Sequence, residues 1–333
     1  FLKRFPRSLV SLNVDGAEVG ISMFKKGILG AIGNTPLVEL TVMSPKKGVR
    51  IFAKLEGQNP TGSVKDRIAL YMIDRAEREG LLTLGQTILE PTSGNAGISL
   101  ALVGRLRGYK VTVVMPENVS IERTQLLKAY GAEIVYSPGE HGTNGSIKVA
   151  EEISERHADY FLPYQYGNEA NPAAHFETTG VEILRDQPKV DMFVAGLGTG
   201  GTLMGVGRRL KEHDSQTKIV AVAPEAEDYI QGLRSLEEGF IPPILDLSML
   251  DARLMVDSSA AFRTTKLLLH EEGIFAGISS GSVVYAAQKL AERMSSGNIV
   301  CLLADGGWKY LSTGLWTQEY EDIQEEAKGT IWW

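Results

Sequence analysis

The sequence predicts an α/β protein built from two open, twisted, mainly parallel sheets with helices on both faces. Three observations predict it. Short apolar, β-branched runs alternate with longer segments of helical periodicity along most of the 333 residues. The runs are apolar throughout, as strands buried on both faces must be. Glycine-rich loops follow three of these runs and open helical segments, the position at which open α/β sheets bind ligands.

Taken in order, residues 1–22 are basic at the outset but lack a long apolar core and a small-residue cleavage site, and they read as an N-terminal extension. Patterned sequence begins at Met23. After "NPTGSVKDR" (59–67), the segment "DRIALYMIDRAEREGLL" sets Ile68, Met72, Ile73 and Ala76 on one helical face, with Gly80 as a stop. "QTILE" then precedes the helical "NAGISLALVGRLRG", "KVTVVMP" precedes "SIERTQLLKAYG", and "AEIVYS" precedes "SIKVAEEISERH". The alternation resumes with "DMFVAG", "TLMGVGRRLKEH", "KIVAVAP", "SAAFRTTKLLLHEEG" and "VVYAAQKLAERMSSG", and closes on "NIVCLLADGG". The two series part near "LPYQYGNEANPAAH", which suggests two lobes with a cleft between them. The tail "TQEYEDIQEEAKGTIWW" is acidic with an apolar tip.

Composition narrows the function classes. Hydrophobic content of 43%, charged content of 23% and 36 glycines fit an α/β enzyme. Lys plus Arg number 34 against 41 Asp plus Glu, a net charge of −7, so nucleic acid is not an expected partner. No apolar run reaches the ~18 residues of a membrane span, so no membrane partner is expected and a cytoplasmic location is. The lone Cys301 can form no internal disulfide and reads as a buried strand residue. His141, His157, His175, His213 and His270 show no metal-ligand spacing, and no metal is expected.

Four features bear on chemistry. Lys65 enters the first turn of a helix, whose terminus carries roughly +0.5 of a charge and normally attracts acids. It is either a solvated surface lysine or a lysine of depressed pKa, able to form a Schiff base and move protons. The loop "PTSGNAG" (91–97) offers Thr92, Ser93 and Asn95 and the N–H groups of a helix start, which suit a carboxylate, although the same residues are ordinary caps. "GLGTGGT" (196–202) is a phosphate cradle by the same physics. Gly196, Gly198 and Gly201 also satisfy G-x-G-x-x-G, with Glu225 at the end of the next strand, which is the fingerprint of a nicotinamide-dependent dehydrogenase. That alternative leaves Lys65 and the first loop without a task. In "GISSG" (277–281), the hydroxyls either cap a helix or meet the ring nitrogen of a heteroaromatic ligand. A lysine, a carboxylate receptor, a phosphate cradle and a neutral hydroxyl together suit pyridoxal phosphate acting on an amino acid.

"IGNTPL" (32–37), "NPTGSVKDR", "PTSGNAG", "GTGGT", "GISSG" and "KYLSTG" stand in the order and spacing of the cysteine synthase and cystathionine β-synthase family of pyridoxal phosphate enzymes, which the chain resembles from about Gly30 onward. Within it, "EPTSGN", "MPEN", "LPYQYGN", "VAGLGT", "EEGIFAGIS" and "GWKYLSTG" are most similar to the O-phosphoserine sulfhydrylase branch. The resemblance implies fold type II, like the tryptophan synthase β-subunit. It implies an N-terminal substrate-binding lobe (23–36 and 59–165), a C-terminal phosphate-binding lobe (37–58 and 166–316), a tail (317–333) able to close over the cleft, and a homodimer. Lys65 would carry the cofactor as a Schiff base and act as base at substrate Cα. Asn95 would meet the ring hydroxyl and Ser279 the ring nitrogen, and Gly198, Thr199, Gly200, Gly201 and Thr202 would hold the phosphate. The substrate carboxylate would rest on Thr92, Ser93, Asn95 and Gln165, and Arg234 would pair with a substrate phosphate. The implied reaction makes L-cysteine from O-phospho-L-serine through an aminoacrylate, with sulfide or a sulfur-carrier protein as donor. O-acetylserine as substrate and a cystathionine β-synthase reaction are the alternatives. The chain departs from the family at Ala96, where threonine is usual, so one hydroxyl for the carboxylate is missing.

Overall fold

The computed structural model describes residues 13–14, 17–18, 27–92, 94–225, 228 and 230–322. Strands β1 (Asn13–Val14) and β2 (Ala17–Glu18) pair antiparallel. The rest of the N-terminal extension, Ser93 and residues 323–333, which include the tip of the expected lid, lie outside the described residues.

The larger sheet contains β3 (Leu37–Glu39), β4 (Val49–Leu55), β9 (Met192–Gly196), β10 (Lys218–Pro224), β11 (Ala252–Val256) and β12 (Gly297–Leu303). Their order is β11-β10-β9-β12-β4-β3, parallel except for the edge strand β3, which runs antiparallel to β4. The smaller sheet contains β5 (Thr87–Pro91), β6 (Lys110–Pro116), β7 (Glu133–Ser137) and β8 (Tyr160–Phe161), all parallel in the order β7-β6-β5-β8. It is built between β4 and β9, so the chain leaves the larger sheet and returns to it. Two mainly parallel sheets with helices on both faces are the architecture expected from the apolar runs.

Helices α1 (Lys65–Arg78), α2 (Asn95–Arg107), α3 (Ile121–Ala129) and α4 (Gly142–Arg156) accompany the smaller sheet. Helices α5 (Ala170–Ala174) and α6 (Gly180–Asp186), joined by a π turn at His175–Thr179, lead back to α7 (Gly201–His213), α8 (Ser258–Glu272) and α9 (Ile278–Ala291). Residue parity explains the layers, because successive strand side chains point to opposite faces. Val194, Val220, Val222, Ile299 and Cys301 pack on α8 and α9, whereas Phe193, Ala195, Ile219, Ala221, Val300 and Leu302 pack on α7. In the smaller sheet Ile88, Val111 and Val113 meet α1 and α2, and Leu89 and Val114 meet α4. Cys301 is buried in β12, and burial pushes its thiol up.

Strands β3, β4, β8 and β11 carry no clear signal in the sequence. β4 contains Arg50 and Lys54 within its apolar residues, and it tolerates the buried Lys54 because Glu182 Oε2 and the Thr35 carbonyl accept from its ammonium at 2.7 and 2.6 Å. Helices α4 and α9 begin about one turn before their apolar periodicity does. "GISSG" therefore runs into the first turn of α9 rather than standing ahead of it.

Candidate active site

The two sheets flank a cleft of about 1030 Å³ measured out to its mouth. Lys65 reaches it because its neighbours are tied down elsewhere. Asp66 accepts from the Thr61 N–H at 2.7 Å and from Ser99 Oγ at 2.6 Å. Arg67 is buried between two carboxylates, with Nε donating to Glu56 Oε2 and Nη1 to Glu182 Oε1, each at 2.7 Å. Lys65, the first residue of α1, is left facing the cleft, and among the described residues it forms no ion pair. Burial lowers its ammonium to about 8, against the raising influence of Glu90 and Asp305. The surface-lysine reading fails on this placement; burial is the main cause of the depressed pKa, where the sequence had suggested the helix terminus. Glu90, buried at the end of β5, is pushed up to about 8 by burial, although the backbone N–H groups of Tyr164 and Gln165 donate to it at 2.9 and 3.1 Å.

The loop ahead of α2 is shaped by backbone demands. Thr92 Oγ1 accepts from the Gly94 N–H at 3.0 Å, and Gly94 has φ +145°, where a Cβ would lie 2.5 Å from Arg123 Cδ. Asn95 follows as the first residue of α2. Its Oδ1 accepts from Lys309 Nζ at 2.7 Å, and its Nδ2 donates to Asp305 Oδ2 at 2.7 Å. Asp305 Oδ2 also accepts from the Tyr310 hydroxyl at 2.5 Å. Asp305 Oδ1 is buried with no hydrogen-bond partner among the described residues. Gln165 also lines the cleft, with Nε2 donating to the Pro91 carbonyl at 3.4 Å.

Across the cleft, Gly198, Thr199, Gly200 and Thr202 line the wall where β9 gives way to α7. Gly201 does not line it. It is the first residue of α7 and packs on Asn171, whose Oδ1 would lie 1.9 Å from a Cβ there. Asn171 Nδ2 in turn donates to Thr199 Oγ1 at 3.0 Å, which ties the loop to α5. Thr202 Oγ1 lies 3.2 Å from His175 Nε2, and His175 Nδ1 lies 3.0 Å from Thr179 Oγ1. Burial holds this histidine well below its ordinary pKa, so it is a neutral ring that orients the threonine. Ser279 lines the cleft as the second residue of α9, inside the Gly277 N-cap, and its hydroxyl forms no hydrogen bond among the described residues, so Ser279 is not a cap.

Arg234 also lines the cleft and is 7% exposed. Its guanidinium carbon lies over the rings of Phe240 and Tyr166, 4.8 and 5.3 Å from their centroids, and Nη1 donates to Asn144 Oδ1 at 2.8 Å. Among the described residues no carboxylate forms an ion pair with it.

One cleft thus gathers Lys65, Thr92, Asn95, Gln165, most of the 198–202 loop, Arg234 and Ser279. Sequence reasoning missed Glu90, Asp305, Lys309, Tyr310 and His175 at this site. Nothing local in "KYLSTG" marks Lys309 as a buried cation hydrogen-bonded to Asn95.

The donor set fits the pyridoxal phosphate that the motifs imply. A low-pKa amine faces the cleft, a neutral hydroxyl stands on α9, and the backbone N–H groups of Gly198, Thr199 and Gly200 have no partner among the described residues. These N–H groups precede a 13-residue helix, whose positive terminus suits a phosphate.

Comparison with known proteins agrees. Residues 28–305 match the family described as pyridoxal-phosphate dependent enzyme. The chain is 47% identical over 296 residues to a cysteine synthase of Staphylococcus aureus, covering 86% of this chain and 95% of that protein. It is 45% identical over 298 residues to a probable cysteine synthase of Bacillus subtilis, covering 86% and 96%. Among solved structures, an O-ureido-L-serine synthase superposes with a TM-score of 0.84 at 40% identity, covering 91% of this chain and 99% of that one. A cysteine synthase of Entamoeba histolytica superposes with a TM-score of 0.83 at 35% identity, covering 96% and 99%. With the family match spanning most of the chain and the lysine, the N–H cradle and the serine sharing one cleft, the chain belongs to the pyridoxal-phosphate dependent enzymes of the cysteine synthase family.

Proposed function

We propose that this protein is a cysteine synthase, which replaces the leaving group on Cβ of an O-activated L-serine with sulfur and releases L-cysteine. The observation that carries the reading is the low-pKa Lys65 amine facing the N–H-lined loop across one cleft. When bound, pyridoxal phosphate supplies an electron sink that favours loss of the Cα proton and of the Cβ substituent. Lys65 Nζ would hold the cofactor through its aldehyde and would remove and return the proton at substrate Cα. The N–H groups of Gly198, Thr199 and Gly200 and the Thr202 hydroxyl would hold the cofactor phosphate, and Gly201 sets the close approach of α7 to Asn171. Thr92, Gln165 and Ser93 receive the substrate carboxylate. Ser279 meets the ring nitrogen. A neutral hydroxyl would hold a proton on that nitrogen less firmly than a carboxylate would.

Two leaving groups are supported. Acetate is supported by relatives, among them a structure named O-acetyl serine sulfhydrylase from Entamoeba histolytica at 35% identity. Phosphate is supported by Arg234, a cleft-lining guanidinium with no carboxylate partner among the described residues. The sulfur donor is sulfide or a thiocarboxylate on a carrier protein. We further propose a homodimer and the lobe division 23–36 with 59–165 against 37–58 with 166–316. The test is cysteine release from O-acetylserine and O-phosphoserine with sulfide, measured side by side for wild type, Lys65→Ala and Arg234→Ala. Lys65→Ala should abolish release from both substrates. Arg234→Ala should lower kcat/KM for the phosphate ester alone, by about one to two decades, the worth of a charge-assisted hydrogen bond. Full activity in Lys65→Ala would end the mechanism.

A further inference from the structure

We infer that Lys309 and Asp305 are positioning residues that clamp the Asn95 amide, so that its remaining N–H faces the phenolic oxygen of bound pyridoxal phosphate. The inference rests on the cofactor reading above. A side-chain amide is nearly symmetric in shape, so sterics alone leave its two ends interchangeable. Charge does not. An ammonium only donates hydrogen bonds and a carboxylate only accepts them. Lys309 Nζ donates to Oδ1 at 2.7 Å while Nδ2 donates to Asp305 Oδ2 at 2.7 Å. A flipped amide would set N–H against ammonium and oxygen against carboxylate, and both contacts would repel in a poorly screened interior.

Both clamping residues are buried, at 0% and 2% exposure, and they come from one short stretch: Asp305 follows β12, and Lys309 lies in the 3-10 turn Gly307–Thr313. Asp305 is itself anchored by the Tyr310 hydroxyl, which accepts from Arg123 Nη2 at 3.1 Å. A fully buried ammonium is costly to fold, and the reaction assigns Lys309 no direct contact with substrate. The clamp gives it a task. One Nδ2 proton goes to Asp305, and the second has no partner among the described residues on a side chain that lines the cleft. In pyridoxal phosphate the phenolic oxygen sits on the ring carbon adjacent to the one bearing the aldehyde. A donor beside Lys65 therefore meets that oxygen, whereas a flipped amide would present an acceptor to it.

The test uses Lys309→Met, which removes the donor, Lys309→Arg, which keeps one, Asp305→Asn, and Asn95→Ala as reference. Three readouts are taken: the visible spectrum of bound cofactor, its dissociation constant by equilibrium dialysis, and the melting temperature of the cofactor-free protein. Lys309→Met and Asp305→Asn should shift the spectrum in the same direction as Asn95→Ala. Each should weaken cofactor binding about tenfold, equivalent to ~1.4 kcal/mol. Lys309→Arg should restore both values. If Lys309→Met melts earlier but keeps the wild-type spectrum and dissociation constant, the lysine is merely structural and the inference falls. If Lys309→Met does not fold, Asp305→Asn is judged by the same two criteria. An unchanged spectrum in Asn95→Ala, with the band lost in Lys65→Ala, overturns the clamp and leaves the cofactor reading standing. A band retained in Lys65→Ala overturns the cofactor reading itself.

Discussion

Arg234 Nη1 donates to Asn144 Oδ1 at 2.8 Å, which joins the loop after β10 in the larger sheet to α4 on the smaller one. The same guanidinium lies over the rings of Phe240 and Tyr166, which stand edge to face, and faces the cleft. Among the described residues its partners are a neutral acceptor and two aromatic rings, which leave its charge to an anion. Asn144→Asp would supply a competing carboxylate at that acceptor. The expected result is a fall in kcat/KM for O-phosphoserine of about one to two decades, well beyond any fall for O-acetylserine. Equal losses on both substrates would show that Arg234 does not read the leaving group.

Lys65 must be neutral to attack the cofactor aldehyde, and burial places its pKa at about 8 instead of 10.5. The rate at which cofactor-free protein takes up pyridoxal phosphate should rise with pH up to about 8 and then level. Stability follows the same shift. Between about 8 and 10.5 the unfolded lysine binds the proton that the folded one has lost, so stability of the cofactor-free protein should rise with pH through that window. Lys65→Met should remove the rise and melt higher at neutral pH. An uptake rate still climbing above pH 10 would contradict a depressed pKa.

Ser279 presents a hydroxyl that caps nothing in α9. Ser279→Ala should keep the melting temperature of the cofactor-free protein while lowering kcat about tenfold, roughly the worth of one hydrogen bond within the range of such measurements. Ser279→Asp should hold the ring nitrogen protonated, strengthening the electron sink and increasing exchange of the Cα proton with solvent relative to cysteine release. Deuterium incorporation read by mass spectrometry checks this. Wild-type behaviour in both variants would return Ser279 to a packing role.

Arg67 ties α1 to Glu56 and Glu182, and Lys54 donates to the second of these from β4. Burial pushes Glu182 up, but hydrogen bonds and charge from Arg67 and Lys54 outweigh it and hold the carboxyl at about 2. Its folded pKa is lowered, so its contribution is complete above the ordinary 4.5 and is lost as pH falls through about 2. Glu182→Gln leaves Arg67 and Lys54 short of a counter-charge and should cost about 3–5 kcal/mol near neutral pH, read from urea unfolding. The difference from wild type should shrink toward pH 2. A loss under about 1 kcal/mol at pH 7 would show that the cluster relaxes by admitting water.

Much of this molecule was legible as sequence because the relevant physics is local. Apolar runs such as "KIVAVAP" and "KVTVVMP" must be buried on both faces, which dictates parallel sheets under helices, and both became strands where they stand. The loops of 91–97, 196–202 and 277–281 were found from glycines and hydroxyls at strand-to-helix junctions, because backbone freedom and helix polarity are properties of neighbours in the chain. What the sequence left open was settled by contacts between distant residues. Nothing in "GSVKDR" says whether Lys65 is solvated, because desolvation is imposed by whatever folds over it. The two ends of the Asn95 amide were distinguished by Asp305 and Lys309, 210 and 214 residues away. Arg234 found Asn144, 90 residues earlier. The strand β4 was unreadable because Lys54 breaks its apolar run, and the counter-charge that makes that lysine tolerable in a core comes from Glu182, 128 residues later. Periodicity determines which face of an element is buried; the state of a charged group depends on what the fold brings against it, since solvation and hydrogen-bond partners are three-dimensional quantities.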